Sequence, residues 1–510
     1  MKSKKLKILF LYPNFHMSTL VPNGIAILVA WLKREGFNNI DLFETTFYDT
    51  DDKSKDQDRV EVGQVQPFNY ADRGVKLKIT NMYDDFTKKV NEFEPDIIMA
   101  SILEDTFKIF ITFMEKIKDK KIPCLAGGQF PSSAPEKVIA LDFVNYVCRG
   151  EGEEALVELC DALEEGKDIT KIANLWVKKS GKIIARNKIR QALDVNKLPV
   201  QDLSIFEDMS LFRPMQGKIY RMAPVETQRG CPYACRFCNS PEKNEFYEAQ
   251  KAGRFFRKRT MKHLHTELKE LISKYSIEYI FFITDTFLAM SEKEFDEFCE
   301  IYSEFKLPFY MHTRPETVTE RKVKKLKEVN CDRVNIGVEH GNHKFRSETV
   351  GRNYKNEVAI RSFEMMYEGG ISTVSNSILG YPDETRELIF DTIELVRKLK
   401  CTDINAFTFT PYHGTSLREL CERKKYLAKD TLADGYYVHD SLLTMPSITK
   451  EEIRGLMKTF VLYSRLPRSS WPEIKIAEAE TELGKNKYGE LMAIFRREYA
   501  HVPLASEDGM

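Results

Sequence analysis

Hydrophobic and polar positions in the first third of the chain alternate between short apolar runs and segments of helical period. The apolar runs predict five strands, at residues 7–12, 40–43, 96–101, 124–128 and 145–148. Apolar side chains at helical spacing predict three helices, at residues 24–35, 107–118 and 154–163. Single helices between strands indicate a parallel, doubly wound sheet, so we predict a Rossmann-like α/β domain over residues 1–165. Residues 45–78 are polar and charge-rich without a clear period, which predicts an insertion or mobile loop.

The same alternation resumes after a connector. Residues 166–217 are predicted to be a linker, with a small β-excursion at 175–184. Six further strands are predicted, at residues 225–228, 279–283, 309–312, 333–337, 374–379 and 404–410. The intervals leave room for one helix each, so we expect an open, partial (β/α)6 barrel over residues 218–425. Helical spacing at 450–466 and 471–497 predicts a small, mainly helical region over residues 426–510.

Composition and charge narrow the class of protein. The chain has 510 residues, and its 77 Lys and Arg balance 77 Asp and Glu, so the charge gives no indication of a nucleic-acid partner. No run approaches the ~18 apolar residues of a membrane span, and the first apolar run is a strand rather than a signal peptide. Seven of the ten cysteines are scattered and three are bunched. This usage is typical of a cytoplasmic protein with one metal site, not of a disulfide framework.

The three bunched cysteines, Cys231, Cys235 and Cys238, are the strongest chemical signal. Thiolates at positions i, i+4 and i+7 in a loop after a strand can converge on one metal centre. Three ligands are one short of the four that close a structural zinc or iron–sulfur site, so one position stays open for a substrate or cofactor. Zinc binding or plain electron transfer are the alternatives, but no fourth Cys or His stands at a suitable spacing.

The Cys-x3-Cys-x-Phe-x-Cys segment resembles the signature of the radical S-adenosylmethionine (SAM) superfamily, and the similarity extends through most of residues 219–420. It implies that the three cysteines hold a [4Fe–4S] cluster. The methionine amine and carboxylate of SAM would chelate the open iron, and reductive cleavage would release a 5′-deoxyadenosyl radical. By the same resemblance, Phe237 would pack beside the adenine.

Further segments resemble the family's cofactor-binding motifs, each at the end of a predicted strand. The residues that these matches imply for SAM binding are Asp285, Arg314, Glu339, Arg352 and Asn376. Thr284 stands where a first acidic residue is common, which leaves Asp285 as the candidate of that motif. The order of the matches agrees with a barrel whose active site collects at the carboxyl ends of its strands.

The N-terminal domain resembles the cobalamin-binding domain fused to one branch of these enzymes. Gly127 and Gly128 follow a predicted strand, where glycine lets the backbone approach a large ligand. They are the best candidates for cobalamin contact. The family's Asp-x-His-x-x-Gly cobalt-binding motif is not present, and His16 is the histidine at the corresponding place. Many members lack that histidine, so its loss does not exclude cobalamin.

The resemblance implies a cobalamin-dependent enzyme that methylates an unactivated carbon, or a phosphinate phosphorus, of a small molecule or lipid. The alternatives are a radical SAM dehydratase, cyclase or epimerase without methylcobalamin, and a non-catalytic iron–sulfur protein. A flavodoxin or ferredoxin is the expected electron donor. Four residues near predicted strand ends are candidates for the substrate site: Tyr310, His312, Tyr412 and His413.

Overall fold

The computed structural model describes residues 4–50, 53–433 and 440–500, and it begins with a seven-stranded sheet flanked by helices. The strands are β1 (Ile8–Tyr12), β2 (Ile40–Glu44), β3 (Ile97–Ser101), β4 (Cys124–Gly127), β5 (Tyr146–Cys148), β6 (Leu175–Lys179) and β7 (Lys182–Arg186). The helices are α1 (Asn23–Arg34), α2 (Lys55–Glu61), α3 (Met82–Phe93), α4 (Phe107–Lys116), α5 (Gln129–Ser133), α6 (Pro135–Ile139) and α7 (Glu153–Glu165). The spatial order is β2-β1-β3-β4-β5-β6-β7, and the first five strands are parallel. The predicted Rossmann-like sheet is confirmed.

Both faces of this sheet are buried, as expected for parallel strands covered by helices. Along β1, Ile8 and Phe10 face one core, while Leu9 and Leu11 alternate into another. The core that contains Ile8 continues into the second sheet of the protein. The two sheets are therefore packed as one body, with a junction between them.

Two segments differ from their predicted form. Residues 166–217 are predicted to be a linker with a small β-excursion at 175–184; β6 and β7 form there, but they join the first sheet in antiparallel pairing. The polar segment 45–78 contains α2, which begins at Ser54 with a capping box closed by Gln57. No residue of α2 is fully buried, so the hydrophobic period that predicts a helix is missing there.

The second sheet has the order β16-β15-β14-β13-β12-β9-β8. Its strands and an adjoining two-stranded ribbon are β8 (Phe212–Met215), β9 (Lys218–Val225), β10 (Gln228–Arg229), β11 (Arg257–Lys258), β12 (Tyr279–Phe282), β13 (Phe309–Thr313), β14 (Cys331–Glu339), β15 (Ser372–Leu379) and β16 (Asp403–Thr408). The helices are α8 (Asn239–Ala249), α9 (Met261–Tyr275), α10 (Glu292–Tyr302), α11 (Glu320–Glu328), α12 (His343–Phe345), α13 (Asn356–Glu368), α14 (Arg386–Arg397) and α15 (Ser416–Arg423). Six strands are parallel, as predicted for a partial barrel, and antiparallel β8 adds an unpredicted edge.

The C-terminal region is helical, as predicted, with α16 (Lys450–Arg465), α17 (Trp471–Ala477) and α18 (Glu482–Glu498). The single helix predicted over 471–497 is two helices, because the Thr481 side chain caps the start of α18 by accepting the Gly484 N–H. Residues 434–439 and 501–510 of the predicted region lie outside the described residues. Within the described ranges, no helix has the length and apolar character needed to cross a membrane.

Candidate active site

The three-cysteine loop follows β10 and runs into α8. Cys231 and Cys235 are buried, and Cys238 is the N-cap residue of α8, with its Sγ accepting the Ser240 N–H at 3.4 Å. The Cys231 Sγ lies 3.4 Å from the hydroxyl oxygen of Thr286, in the loop after β12. The loop therefore lies at the carboxyl end of the second sheet, where the sequence placed it.

Two arginines from later strands converge on Cys235. Arg314 follows β13 and its Nη1 lies 3.1 Å from the Cys235 Sγ, while Arg352 approaches the same sulfur with Nε at 3.2 Å. Arg352 also donates to the carbonyl oxygen of Gly337 at 2.6 Å and pairs with Glu339 at 3.1 Å. Both guanidinium groups are therefore placed to donate charge-assisted hydrogen bonds to this sulfur.

Glu339 has a strained backbone at the end of β14. Its φ is +67°, which costs a non-glycine residue about 1–3 kcal/mol and is found mostly at functional sites. A Cβ atom at Gly337 would collide with the Glu339 carboxylate and lie 3.0 Å from the Arg352 Nη1. Burial raises the pKa of Glu339, and the charges of Arg352 and Arg314 oppose that rise. The local sequence thus holds a carboxylate and a guanidinium side by side.

A cavity of about 710 Å³ lies between the two sheets, and we call it the junction cavity. It is lined by Gly127 and Gly128 at the end of β4 and also by Cys238 and Asp285 of the second sheet. Gly128 has φ +106°, and a Cβ there would lie 2.8 Å from the carbonyl oxygen of Ile102. Only glycine fits this turn, which forms part of the cavity wall.

Ion pairs close the junction beside the cysteine loop. Arg229 donates to Glu151 at 2.6 Å, on the loop between β5 and α7, and to Glu153 at 2.9 Å, the first residue of α7. Arg257 of β11 donates to the same Glu151 carboxylate at 2.7 Å. The role of the 151–153 segment in joining the two domains was not predicted from sequence.

A second contact between the domains involves two of the predicted substrate-site residues. The backbone N–H of His413 donates to the Glu104 carboxylate at 2.9 Å, and the His413 Nδ1 lies 2.6 Å from the other oxygen of that carboxylate. The Tyr412 hydroxyl donates to Asp105 at 3.0 Å. Burial raises the pKa of Asp105 to about 6, against the opposing charge of Lys55. Sequence reasoning missed both acids, because their loop after β3 carries no motif.

Tyr310 and His312 share one face of β13 with Arg314, since side chains alternate along a strand. The Tyr310 ring lies 5.0 Å from the His312 ring, and its hydroxyl accepts from the Asn335 side chain. Burial and, to a lesser extent, the charge of Arg213 together lower the pKa of His312 to about 4. Both candidates therefore lie inside the barrel, on the face from which Arg314 reaches the cysteine loop.

Three other predicted SAM-binding residues lie on a barrel strand or in the loops at the carboxyl end of the barrel. The Phe237 ring lies 6.3 Å from that of Tyr381, in the loop after β15, and 5.7 Å from the Arg352 guanidinium. Asn376 lies on β15, where its Oδ1 accepts from Asn405 Nδ2 at 3.0 Å. Asp285 accepts from the Ser240 hydroxyl at 2.9 Å, which ties it to the cysteine loop.

His16 is separated from the two glycines. Its Nδ1 lies 2.7 Å from the carbonyl oxygen of Tyr48, and it lines a different cavity, with Gln57 and Phe68 of the inserted segment. None of the described residues that line the junction cavity is a histidine. Contact between His16 and cobalamin stays a prediction, and the cavity that His16 lines is formed with residues of the 45–78 insertion.

Comparison with known proteins assigns both domains. The model of the Radical SAM superfamily matches residues 225–396, and that of the B12 binding domain matches residues 18–160, together more than half of the chain. An uncharacterized methyltransferase of Pyrococcus horikoshii is 27% identical over 76% of this chain and 82% of its own length. The anaerobic magnesium-protoporphyrin IX monomethyl ester cyclase of Rubrivivax gelatinosus is 22% identical over 81% of this chain and 69% of its own.

The chain belongs to the cobalamin-dependent radical SAM methyltransferase family. A solved structure of such a methyltransferase, TsrM from Kitasatospora setae with cobalamin and a [4Fe-4S] cluster bound, shares this fold. The TM-score is 0.64 at 15% identity, over 97% of this chain and 99% of that one. The family assignment gives this chain a [4Fe–4S] cluster, SAM and cobalamin as cofactors.

The donor set fits a cluster better than a single ion. Within the described parts of the chain, no three His, Cys, Asp or Glu side chains form a compact set of ligands for one ion. Each cysteine of a [4Fe–4S] cluster binds a different iron atom, so Cys231, Cys235 and Cys238 need not lie as close together as the ligands of a single ion. Burial raises the pKa of Cys238 to about 12, so iron binding rather than ionisation in water would produce its thiolate.

Proposed function

We propose that this enzyme transfers a methyl group from cobalamin to an unactivated carbon, or to a phosphinate phosphorus, of a small molecule or lipid. The observation that carries the proposal is the junction cavity, because Gly128 of the B12-binding sheet and Cys238 of the cluster loop line the same space. Methyl transfer to a substrate radical requires the two cofactors close together and away from water. A dehydratase, cyclase or epimerase that does not use methylcobalamin would need no cavity of this kind.

Residues around the cluster have roles that follow from charge. Cys231, Cys235 and Cys238 would ligate three irons. Arg352 and Glu339 carry the charges that match the carboxylate and the ammonium of the methionine part of SAM. When bound, the cluster and SAM supply a carbon radical, and cobalamin supplies the methyl group.

The protein's own contribution is to hold the domains together and keep water out. Arg229 and Glu151 close the junction beside the cluster loop, with side chains that are 13% and 8% exposed. Glu104 accepts from His413 across the opposite side of the junction. A polar pair at each side fixes the distance between the two sheets, which sets the distance between the cofactors they hold.

The proposal is tested by anaerobic expression with cobalamin, followed by iron and cobalt analysis. We expect roughly four iron and one cobalt per chain. The purified enzyme is then incubated with SAM carrying a deuterated methyl group and with extracts of candidate small molecules or lipids. A product that is three mass units heavier than the product formed with unlabelled SAM supports methyl transfer. Full cobalt loading with SAM cleavage and no labelled product from any extract would argue for another radical reaction.

A variant with Cys235→Ala controls for the cluster, since it should retain cobalt while losing SAM cleavage. A flavodoxin or ferredoxin as electron donor and a cytoplasmic location stay predictions. Reduction of the cluster by a purified flavodoxin, monitored by the loss of the cluster's visible absorption, would test the predicted electron donor.

A further inference from the structure

The interior of the barrel below the cluster carries a ring of polar side chains. We call it the polar ring, and its members are Tyr310, His312, Asn335, Asn376 and Asn405 on strands β13 to β16. His312 pairs in register with Asn335, and Asn376 with Asn405, so these side chains leave the sheet on one face.

This face is the one that bears the cluster loop. Arg314, which contacts Cys235, lies two residues beyond His312 on the same strand. At about 3.3 Å per residue, the polar ring begins roughly 7 Å below the arginine that touches the loop. A molecule held by the ring would therefore lie directly under the SAM site.

Two arginines from outside the six parallel strands of the barrel reach the polar ring. Arg213 comes from the antiparallel edge strand β8, and its guanidinium lies 4.8 Å from the centre of the Phe281 ring, which stacks on Tyr310 at 4.7 Å. Arg59 comes from α2 of the inserted segment, where it pairs with Asp56 through Nη1 at 3.0 Å, and its Nη2 donates to Asn405 at 3.1 Å. Both positive charges act on Tyr310, where they oppose the rise of its pKa to about 12 by burial.

Several buried polar atoms of these two arginines and of Asn335 have no partner among the described residues. Arg213 forms no ion pair with any carboxylate of the described residues, and its buried Nη1 makes no hydrogen bond there. The Nε of Arg59 and the Oδ1 of Asn335, which is 7% exposed, are likewise buried and unbonded among the described side chains. Buried polar groups are nearly always hydrogen-bonded, so these atoms point to a polar molecule between them.

The inserted segment is held in place on both sides. Gln64 donates to the carbonyl oxygen of Ala406 on the edge strand β16 at 3.2 Å. On its other side, Gly63 packs against Phe495 and Met492 of α18. The segment thus covers the open side of the barrel with a fixed helix, and it presents Arg59 to the interior.

We propose that Arg213 and Arg59 bind an anionic group, a carboxylate or phosphate, of the substrate inside the barrel. The inference rests on the proposed function and narrows it to an acidic small molecule. Guanidinium groups bind such oxygens by paired, charge-assisted hydrogen bonds, which are strong where water is excluded. The rest of the substrate then extends from the ring toward the cluster end, where the reacting atom is needed.

The test uses the full-length oxidised enzyme loaded with cobalamin and SAM. The cluster and SAM then occupy the site around Arg314 and Arg352, so these two arginines are not available to the added anion. Inorganic phosphate and succinate are titrated separately by calorimetry at constant ionic strength. We expect one saturable site for at least one anion, and the anion that binds tells a phosphate substrate from a carboxylate substrate. Arg213→Gln and Arg59→Gln should each weaken binding by about tenfold or more.

Two variants serve as controls. Arg361→Gln alters an exposed arginine on α13, 46% exposed, and should leave binding unchanged. Arg213→Lys keeps the charge and should bind more tightly than Arg213→Gln. An enzyme that loads SAM and cobalt but binds neither anion, or an Arg213→Gln variant that binds like the parent, would overturn the inference alone. Failure to load cobalamin would instead overturn the proposed function and the inference with it.

Discussion

Arg229 and Glu151 form an ion pair across the junction of the two domains, with 2.6 Å between Nη1 and Oε1. Burial favours the neutral acid, but the hydrogen bond from Arg257 and the charges of both arginines outweigh it, so the pKa of Glu151 is lowered. The carboxylate therefore stays ionised in the junction. Arg229 lies two residues before Cys231, so the pair links the B12-binding sheet directly to the cluster loop.

Replacing Glu151 by glutamine should destabilise the enzyme and loosen cobalamin. Arg229 keeps its bond to Glu153, but Arg257 loses the Glu151 carboxylate, and a poorly exposed charge left without its partner costs about 3 kcal/mol or more. The midpoint of thermal unfolding and the cobalt content after gel filtration measure both effects. Glu154→Gln is the matched control, because Glu154 is 45% exposed in its pair with Arg190 and should cost less than about 1 kcal/mol. Equal stability of the two variants would contradict the role given to Glu151.

Gly128→Ala should abolish stable cobalamin binding. The new Cβ would lie 2.8 Å from the Ile102 carbonyl oxygen and 2.9 Å from its nitrogen, so the cavity wall must move. We expect retention of cobalamin to fall by about tenfold or more. Gly166→Ala is the control, since it has φ +65° but open space around it, and it isolates the cost of the left-handed backbone. Similar cobalt content in both variants would show that the wall does not depend on Gly128.

Glu339→Gln should reduce SAM cleavage without loss of the cluster. The substitution keeps the shape of the side chain but removes the charge beside Arg352, so binding of the methionine part of SAM weakens. We expect the yield of 5′-deoxyadenosine under reducing conditions to fall by about tenfold, with iron content unchanged. Glu328→Gln, at an exposed position of α11, should behave as the parent. Normal cleavage by Glu339→Gln would remove Glu339 from the SAM site.

His312 should make stability depend on pH. Its folded-state pKa is lowered from 6.5 to about 4, chiefly by burial, so the unfolded chain takes up the proton first. Stability is then lost as the pH falls from about 6.5 toward about 4, and it is fully present above that range. His312→Gln should unfold with a smaller difference in denaturant midpoint between about pH 5 and about pH 7.5 than the parent. Exposed His343→Gln should keep the difference, and an unchanged difference in His312→Gln would be evidence against a buried neutral ring.

Local features of the site were predictable from sequence. The spacing of Cys231, Cys235 and Cys238 identifies three ligands within one loop, and the glycine pair at 127–128 follows a strand whose apolar run is unmistakable. Both signals lie within a few residues, so no knowledge of the packing is needed. The open barrel followed from the regular spacing of its strands.

Features that depend on packing between distant segments were not predictable. Glu104 and Arg213 carry no motif, and each acquires its role only when loops of different strands meet. Helix α2 has one apolar residue, Val60, and lies beside α18, so its sequence lacks an amphipathic period. His16 lines a cavity with Gln57 of this helix, a contact that no sequence pattern indicates.

The magnetic interaction between the two cofactors tests most directly whether both of them meet at the junction cavity. The reduced cluster and cob(II)alamin each carry an unpaired electron, and dipolar coupling falls with the cube of their separation. Because Cys238 and Gly128 line one cavity, electron paramagnetic resonance of the enzyme with both centres paramagnetic should show split or broadened signals. The cobalamin-free enzyme supplies the reference spectrum of the cluster. A spectrum that is the plain sum of two isolated signals would contradict the claim that both cofactors meet at this junction.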